Sequence, residues 1–394
     1  MRVLMTTSAL EGHFFPMVPL AWALRTHGHD VLVSAPANFS DRITSAGLHA
    51  AGAVPAITFD RFMLHDREGR RLSPPQDHRD REEFGGRAWG RLAAHSLEAT
   101  LALVDSFRPD LLICEPNEFA GPMAAARRGI PWAEHGWGIM TMPVFKPAAK
   151  VELAGELDTL GLAAVPEPAL RIDNCPTALR SDTADAGLPM RYVPYNGSGV
   201  APDWALRPEG RPKVLVTMGS LLPRFGLVNF VSLLRDTAEA LPKLGVDVVV
   251  GVADRIAAEA GPWPPGVRTA GWLPLNAVLP ACGLVIHHGG AGTTMTTVLA
   301  GRPQLVLPRG LDHYTNAERV IQAGAALSVP PEQLDAETII EHCARLLEEP
   351  GFAVRAAEVA AKNLARPTPA DVARHVAQFA TDGVCPEMGT RRLP

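Results

Sequence analysis

Leu284-Val-Ile-His-His-Gly-Gly-Ala-Gly-Thr-Thr294 is the stretch that decides the fold of this chain. Its apolar start, residues 284–286, is typical of a buried strand, and from Met295 onward apolar side chains recur at helical spacing. The glycines between them let the backbone turn tightly and approach a ligand. A strand, a glycine turn and a helix start aim backbone N–H groups and the positive end of the helix dipole at an anion. The two histidines favour phosphate binding over a glycine-rich turn that binds nothing.

Length indicates two domains, and the composition is ordinary for a soluble globular enzyme. A chain of 394 residues exceeds what one hydrophobic core supports, and its net charge of −5 argues against nucleic acid as a partner. Its five cysteines form no CxxC pair, which argues against structural zinc and a disulfide framework. With no signal peptide and no apolar run of membrane-spanning length, we expect a cytoplasmic protein, monomeric or homodimeric, without stable membrane insertion.

Short apolar strands alternate with amphipathic helices in both halves of the chain. Strands are expected at 3–7, 30–34, 48–51, 110–114 and 131–135, with a further strand-like stretch at 171–174. They are expected again at 214–218, 246–250, 267–270, 284–287 and 304–307. A segment rich in proline and glycine, 196–212, separates the two series. This pattern predicts an α/β fold of two Rossmann-like, doubly wound parallel sheets that face a central cleft. Ligands bind such sheets beyond the carboxyl ends of the strands.

Residues 59–87 interrupt this alternation with a polar segment in which carboxylates and arginines are mixed. We expect a mobile or disordered loop there, with the regular pattern resuming as a helix at 88–107. The Asp-x-Glu pairs at 66–68 and 80–82 have the spacing of metal ligands, but arginines surround them, so a solvated charged segment is the preferred interpretation.

His13 follows the first predicted strand and is the candidate general base, because imidazole is well matched to proton transfer near neutral pH. Such a base often has a carboxylate that orients it. Glu115 follows a neighbouring strand and ranks first for that role, with Glu118 second. Alternatively, His13 binds a backbone carbonyl or caps its helix, and either carboxylate caps the helix that follows.

In the second half, candidate ligand-binding groups also follow predicted strands. Ser220 offers a hydroxyl, and Trp272 offers a flat wall for a planar base, although a core tryptophan is as common. Asp312 and His313 stand at a helix start, where Asp312 either binds hydroxyl groups or is an N-cap.

Taken together, these residues resemble the bacterial natural-product glycosyltransferases of glycosyltransferase family 1, which have the GT-B fold and glycosylate antibiotics and macrolides. The matching segments run in the family's order along nearly the whole chain: Gly12-His13-x-x-Pro16, Gly219-Ser220, Gly271-Trp272-x-Pro274, His287-His-Gly-Gly-Ala-Gly-Thr293, Ala300-Gly-x-Pro-Gln304 and Asp312-x-x-x-Asn316. The resemblance implies an acceptor-binding domain at 1–200, a nucleotide-sugar domain at 211–368 and a helix at 369–382 that crosses back to the first domain.

The resemblance also implies a role for each candidate. His13 would deprotonate the acceptor, Glu115 would orient it, and transfer would invert the anomeric configuration without a metal or other cofactor. Trp272 and Leu273 would meet the nucleobase, and Asp312 and His313 the donor sugar. The donor diphosphate would be held by Ser220, His288, Gly289, Gly290, Ala291, Gly292, Thr293 and Thr294.

Two departures from the family pattern bear on the donor. Relatives that use uridine donors often carry a glutamate that binds both ribose hydroxyls, and the matching residue here is Thr296. Losing this acceptor suits a 2′-deoxyribose and favours a thymidine-diphosphate (dTDP) deoxysugar over a uridine-diphosphate (UDP) sugar. His313 replaces the common glutamine, which leaves an unusual deoxysugar open.

There are three alternatives to this function: the first stays open, and the sequence argues against the other two. A UDP-sugar-dependent or carbon-glycosylating transferase of the same family is possible. A nucleotide-sugar epimerase fits the segment at 12–16 poorly. A non-catalytic auxiliary protein that activates a partner transferase should have lost the His13 or 288–294 signatures, and this chain keeps both. The aglycone itself is not readable from the sequence, because its pocket would come from the irregular segments 59–87 and 136–180.

Overall fold

The computed structural model describes residues 1–75, 77–139, 143–180, 187–207, 209–219, 230–259 and 262–382. Within them, two all-parallel sheets form the centres of the two halves of the chain. The first has the strand order β3-β2-β1-β4-β5-β6-β7, and the second has the order β10-β9-β8-β11-β12-β13. The predicted α/β architecture of two doubly wound parallel sheets is therefore confirmed.

The strands of the first sheet are β1 (Arg2–Thr6), β2 (Asp30–Pro36), β3 (His49–Val54), β4 (Leu111–Cys114), β5 (Trp132–His135), β6 (Leu170–Asp173) and β7 (Leu188–Pro189). Those of the second are β8 (Lys213–Thr217), β9 (Asp247–Gly251), β10 (Val267–Gly271), β11 (Leu284–His287), β12 (Gln304–Val306) and β13 (Ala326–Ser328). The sequence pattern missed β7 and β13, because each has only two or three residues at the edge of its sheet.

The helices that cover the first sheet are α1 (Glu11–Phe14), α2 (Val18–Thr26), α3 (Ser40–Ser45), α4 (Phe59–Leu64), α5 (His78–Phe107), α6 (Ala120–Arg128), α7 (Phe145–Glu152) and α8 (Ala154–Leu160). Those of the linker and the second half are α9 (Asp203–Leu206), α10 (Phe230–Ala240), α11 (Asp254–Glu259), α12 (Leu275–Val278), α13 (Ala291–Leu299), α14 (Leu311–Gln322), α15 (Ala336–Glu348), α16 (Pro350–Leu364) and α17 (Pro369–Asp382).

The strand registers bring the chemistry of each half to one edge of its sheet. In the first sheet, Thr6 at the end of β1 pairs with Cys114 at the end of β4. In the second, Thr217 at the end of β8 pairs with His287 at the end of β11. Residues that follow these strands in the sequence must therefore emerge side by side, which explains why the loops after β1 and β4, and those after β8 and β11, share a site.

Segment 59–87 differs from the expected loop. It contains α4 and the first turns of α5, which begins ten residues before the predicted start. Some of its charged side chains also pair with distant carboxylates: Arg67 contacts Glu156, and Arg87 contacts Glu152. Because these partners lie on α7 and α8, far along the chain, local composition alone suggested a loop where tertiary contacts stabilise helices.

Helix α17 packs on the first half although it follows the second half in sequence. Its buried residues Val372, Ala373, Val376 and Phe379 join the hydrophobic core around β1 and α2. A separate apolar cluster connects the two halves, with Ile139 and Tyr192 of the first packed against Met295 and Val298 of α13. The two sheets are thus held together beside the cleft as well as by the linker.

Candidate active site

A cavity of about 610 Å³ lies between the two halves, at the carboxyl-end edges of both sheets. It is bordered from the first half by His13 and from the second by Trp272, Leu273, His288, Gly290, Ala291, Gly292, Thr293, Asp312 and His313. The structure thus brings most of the predicted site residues to one space. Glu115, Glu118, Gly289, Thr294 and Thr296 lie behind its surface, and Ser220 falls outside the described residues.

His13 and Glu115 form a buried pair at the edge of the first sheet. His13 Nδ1 lies 3.0 Å from Glu115 Oε1, and the glutamate side chain is fully buried. Backbone N–H groups of Ser8 and Asn117 donate to the same carboxylate. Since a carboxylate only accepts, the proton of a neutral His13 sits on Nδ1, and its Nε2 lone pair is free to accept a proton.

Two tryptophans fix the His13 ring. Trp89 of α5 and Trp137 lie with ring centroids 4.9 and 4.3 Å from the imidazole. Both also border the cavity, so the candidate base sits in an aromatic wall. No sequence signal had identified Trp89 as a site residue. It falls in the helix predicted at 88–107, and nothing local indicated that this helix reaches His13.

Glu118, the alternative partner, is occupied elsewhere. Its carboxylate accepts hydrogen bonds from the Thr6 hydroxyl and from the backbone N–H groups of Ala120 and Gly121 at the start of α6. It thus caps this helix, as the less specific interpretation of the sequence allowed. Burial raises the pKa of Glu118 to about 7, against the opposing effect of these hydrogen bonds.

In the second half, His288 lies flat against two glycines. A Cβ atom on Gly219 or on Gly290 would stand 2.5 or 2.4 Å from the imidazole, so only glycine leaves room for the ring. Among the described residues, His288 Nδ1 is buried without a hydrogen-bond partner. Burial, together with the nearby His313 and His287, lowers the pKa of His288 well below its usual value, so the ring is neutral and can donate one N–H to a ligand.

Helix α13 begins at the cavity with unsatisfied backbone donors. Gly290 is its N-cap and supplies no side-chain cap, so the N–H groups of Ala291, Gly292 and Thr293 stay available where these residues border the cavity. The hydroxyl of Thr294 does not add a donor, since it bonds to the carbonyl of Gly290. The sequence predicted an anion site at this helix start, and the geometry there is suited to one.

A buried hydrogen-bond chain holds the turn between β11 and α13. The Gly289 N–H donates to His287 Nδ1 at 3.0 Å, and His287 Nε2 lies 2.7 Å from Gln304 Oε1. Asn316 Nδ2 donates to the Gly289 carbonyl. Gly289 has φ +93°, a conformation that favours glycine. His287 therefore shapes the turn, whereas His288 faces the cavity.

Asp312 and His313 lie at the start of α14, beside His288. The His313 ring meets His288 edge-on at 4.7 Å, and His313 Nδ1 accepts from the Arg309 N–H. Burial lowers the pKa of His313, opposed by the charge of Asp312. A neutral His313 thus carries its proton on Nε2. Asp312 borders the cavity with a side chain about one third exposed, 34%.

Trp272 forms a wall of the cavity in the second half. Its backbone N–H donates to Asp254 Oδ1, and the Arg42 guanidinium stacks 5.9 Å from its ring centroid. The opposite end of the cavity, in the first half, is lined mainly by apolar and aromatic side chains: Leu10, Phe15, Phe59, Met63, Leu64, Pro74, Phe84, Trp89, Trp137 and Phe145. Most of these come from the two segments that the sequence could not assign.

Within the described residues, no group of three or more His, Cys, Asp or Glu side chains is arranged to hold a metal ion. In the same part of the chain, no helix has the length and apolar character needed to cross a bilayer. Among the described residues of the second half that border the cavity, the α13 N-terminus, His288, His313 and Asp312 can meet a charged ligand.

Comparison with known proteins identifies the class. Family models of the erythromycin biosynthesis protein CIII-like N-terminal and C-terminal domains match residues 22–219 and 235–379. L-demethylnoviosyl transferase of Streptomyces niveus is 41% identical over 380 residues, which are 96% of this chain and 98% of that protein.

Solved structures agree with this assignment. The glycosyltransferase SsfS6 of Streptomyces sp. SF2575, complexed with thymidine diphosphate, superposes with a TM-score of 0.86 at 37% identity over 96% of this chain and 99% of that one. The rhamnosyltransferase SpnG complexed with spinosyn aglycone has a TM-score of 0.84 at 32% identity over 96% of this chain and all (100%) of its own.

Fold and site thus define a glycosyltransferase of the GT-B fold. Within that class, the chain belongs to the erythromycin biosynthesis protein CIII-like family of bacterial natural-product glycosyltransferases. The predicted family, GT-B fold and enzyme class are confirmed.

Proposed function

We propose that this enzyme transfers a deoxysugar from a dTDP-sugar to a hydroxyl group of a hydrophobic natural-product aglycone, with inversion and without a metal. One observation carries the proposal: His13, paired with Glu115, and His288, at the start of α13, border the same cavity from opposite halves. Residues 1–200 would bind the acceptor and residues 211–368 the donor.

The proposed reaction needs four groups of the chain. His13 Nε2 takes the proton of the acceptor hydroxyl while Glu115 stabilises the imidazolium that forms. The acceptor oxygen attacks the anomeric carbon as the bond from that carbon to the diphosphate oxygen breaks. Attack from the face opposite the leaving group inverts the configuration. The charge that develops on dTDP meets the N–H groups of α13 and His288, which are already in place.

The choice of donor rests on the end of the cavity in the second half, beside Trp272 and α13, which we call the nucleoside end. Residue 296, where relatives that use uridine donors often have a glutamate, is a buried threonine, and no carboxylate is available there to bind two ribose hydroxyls. SsfS6 was solved with thymidine diphosphate, which fits the same choice. Trp272 and Leu273 would lie against the base, and Asp312 and His313 against the sugar.

The choice of acceptor rests on the opposite end of the cavity, in the first half. Aromatic side chains such as Phe59, Phe84 and Phe145 line it, and a hydrophobic aglycone would bury its surface there. SpnG was solved in complex with spinosyn aglycone, which supports an aglycone as the acceptor. His13 stands at the junction of this apolar end with the donor end, where the accepting hydroxyl must lie.

Calorimetric titration of the purified protein with dTDP and with UDP tests the donor class. We expect tighter binding of dTDP, and UDP preference would contradict the proposal. Transfer is then measured with dTDP-sugars and a panel of polyketide and aromatic aglycones, with EDTA present. We expect product of inverted configuration, none with His13→Ala, and unchanged dTDP affinity in that variant. Near-normal transfer by His13→Ala would show that His13 is not the base.

A further inference from the structure

Asn196, in the segment that joins the two halves, bridges two elements of the second half with its side-chain amide. Its Nδ2 donates to Thr296 Oγ1 of α13 at 3.1 Å, and its Oδ1 accepts the backbone N–H of Asn276 of α12 at 3.1 Å. Asn196 borders the cavity, whereas Thr296 is only 1% exposed and does not. The residue that faces the nucleoside end is therefore the asparagine.

The Thr296 hydroxyl makes two hydrogen bonds within the protein. It donates to the Gly292 carbonyl at 2.6 Å and accepts from Asn196 Nδ2. A hydroxyl has one proton to donate, so Thr296 cannot donate to a ligand while this bond persists. Its function is to hold the asparagine amide in one orientation.

The amide of Asn196 keeps spare capacity. A carboxamide has two N–H donors and two acceptor lone pairs, and one of each is occupied by Thr296 and Asn276. Within the described part of the chain, one N–H and one lone pair remain for a ligand. That pairing matches a single hydroxyl group, which both donates and accepts.

The position of Asn196 follows from the elements that it connects. Asn276 lies four residues after Trp272, the proposed base wall, and Thr296 lies on the helix whose N-terminus would bind the diphosphate. In a nucleoside diphosphate, the pentose joins the base to the diphosphate. A side chain bonded to both elements and bordering the cavity stands beside the place where the pentose must pass.

Neighbouring residues hold the segment against both halves. Tyr195 packs edge-on against Phe15 at 5.0 Å. Gly197 has φ +83°, and a Cβ atom there would stand 3.1 Å from Trp272 Cζ2, so the backbone passes directly over the indole. Asn196 is thus placed before any ligand arrives.

We propose that Asn196 binds the pentose hydroxyl of the donor nucleotide and, through its bonds to Thr296 and Asn276, sets the preference for 2′-deoxyribose. The inference rests on the proposed donor class. One donor and one acceptor satisfy the 3′-hydroxyl. A vicinal 2′-hydroxyl finds no donor on Thr296, whose only hydroxyl proton is bonded to Gly292 and whose side chain is 1% exposed behind the cavity wall. A polar group buried without a partner weakens binding.

The test measures dissociation constants of deoxyuridine diphosphate and UDP, which differ only in the 2′-hydroxyl, and of inorganic pyrophosphate, which has no pentose. In Asn196→Ala we expect deoxyuridine diphosphate to bind roughly 10-fold more weakly and the preference over UDP to shrink, with pyrophosphate affinity unchanged. Asn276→Ala is the matched control, since the bond to Asn196 uses only its backbone N–H. It should bind all three ligands like the parent protein.

Thr296→Val supplies a second variant that removes no atom from the cavity wall. Like Asn196→Ala, it should weaken the binding of deoxyuridine diphosphate, because the Asn196 amide loses its hydrogen bond to the Thr296 hydroxyl. Equal losses for pyrophosphate and the nucleotides in Asn196→Ala would show a structural role only and overturn the inference. Unchanged nucleotide affinity in that variant would also overturn it while leaving the donor proposal intact. A parent protein that binds neither nucleotide would refute the proposed function itself.

Discussion

His13 Nδ1 lies 3.0 Å from Oε1 of Glu115, across 102 residues of sequence, and the second carboxylate of the same loop, Glu118, faces away into the start of α6. Two buried glutamates three positions apart therefore make different contacts. Among the described residues, the first contacts an imidazole that borders the cavity, and the second accepts hydrogen bonds from backbone N–H groups and a threonine hydroxyl. This difference makes their proposed roles separable by experiment.

Glu115→Gln should lower kcat for glycosyl transfer by roughly 10²- to 10⁴-fold, because a neutral amide neither stabilises the His13 imidazolium nor fixes its tautomer as well. The dTDP affinity should not change, since Glu115 does not border the donor end of the cavity. Steady-state kinetics and calorimetry measure the two quantities. Glu118→Gln is the matched control and should keep kcat within about 3-fold of the parent enzyme. The reverse ranking of the two variants would make Glu118 the partner of the base.

Glu118 should also make the stability of the fold depend on pH. Burial raises its pKa from 4.5 to about 7, so the folded protein keeps a proton that the unfolded chain has released. Its contribution is fully present below the unfolded pKa and is lost as the pH rises through about 7. Glu118→Gln stays neutral throughout, so its free energy of unfolding should fall less than that of the parent between pH 5 and 8, by on the order of 2 kcal/mol. Urea denaturation at each pH measures this, and parallel curves would contradict it.

The sequence predicted those parts of the site that depend on local motifs and on sheet topology. The turn at 287–294 has glycines where a φ of +93° at Gly289 and the His288 ring require them. His13 and Glu115 could be paired in advance because each follows a parallel strand, and the carboxyl ends of neighbouring strands meet at one edge.

Long-range contacts account for most of what the sequence could not predict. Asn196 gave no signal, since its partners Asn276 and Thr296 are 80 and 100 residues away. The helical start of α5 rests on aromatic packing and ion pairs with distant elements. The orientation of the threonines in α13 was a different case. The hydroxyls of Thr294 and Thr296 donate to backbone carbonyls four residues earlier, which is common for threonine in helices. This bonding is local, so the sequence pattern alone could have indicated it.

Gly290→Ala should weaken dTDP binding by displacing His288. The new Cβ would stand 2.4 Å from His288 Nε2, while the backbone at Gly290, with φ −60°, accepts any residue without strain. We expect a loss of roughly 10-fold in affinity, similar to that of His288→Ala, from removal of one hydrogen bond to a charged group. If the alanine acts only through the ring, the double variant Gly290→Ala/His288→Ala should bind no more weakly than His288→Ala alone. Calorimetry on the three variants measures the coupling, with thermal unfolding to confirm that each is folded. Losses that simply add would show that Gly290 contacts the ligand through its own backbone.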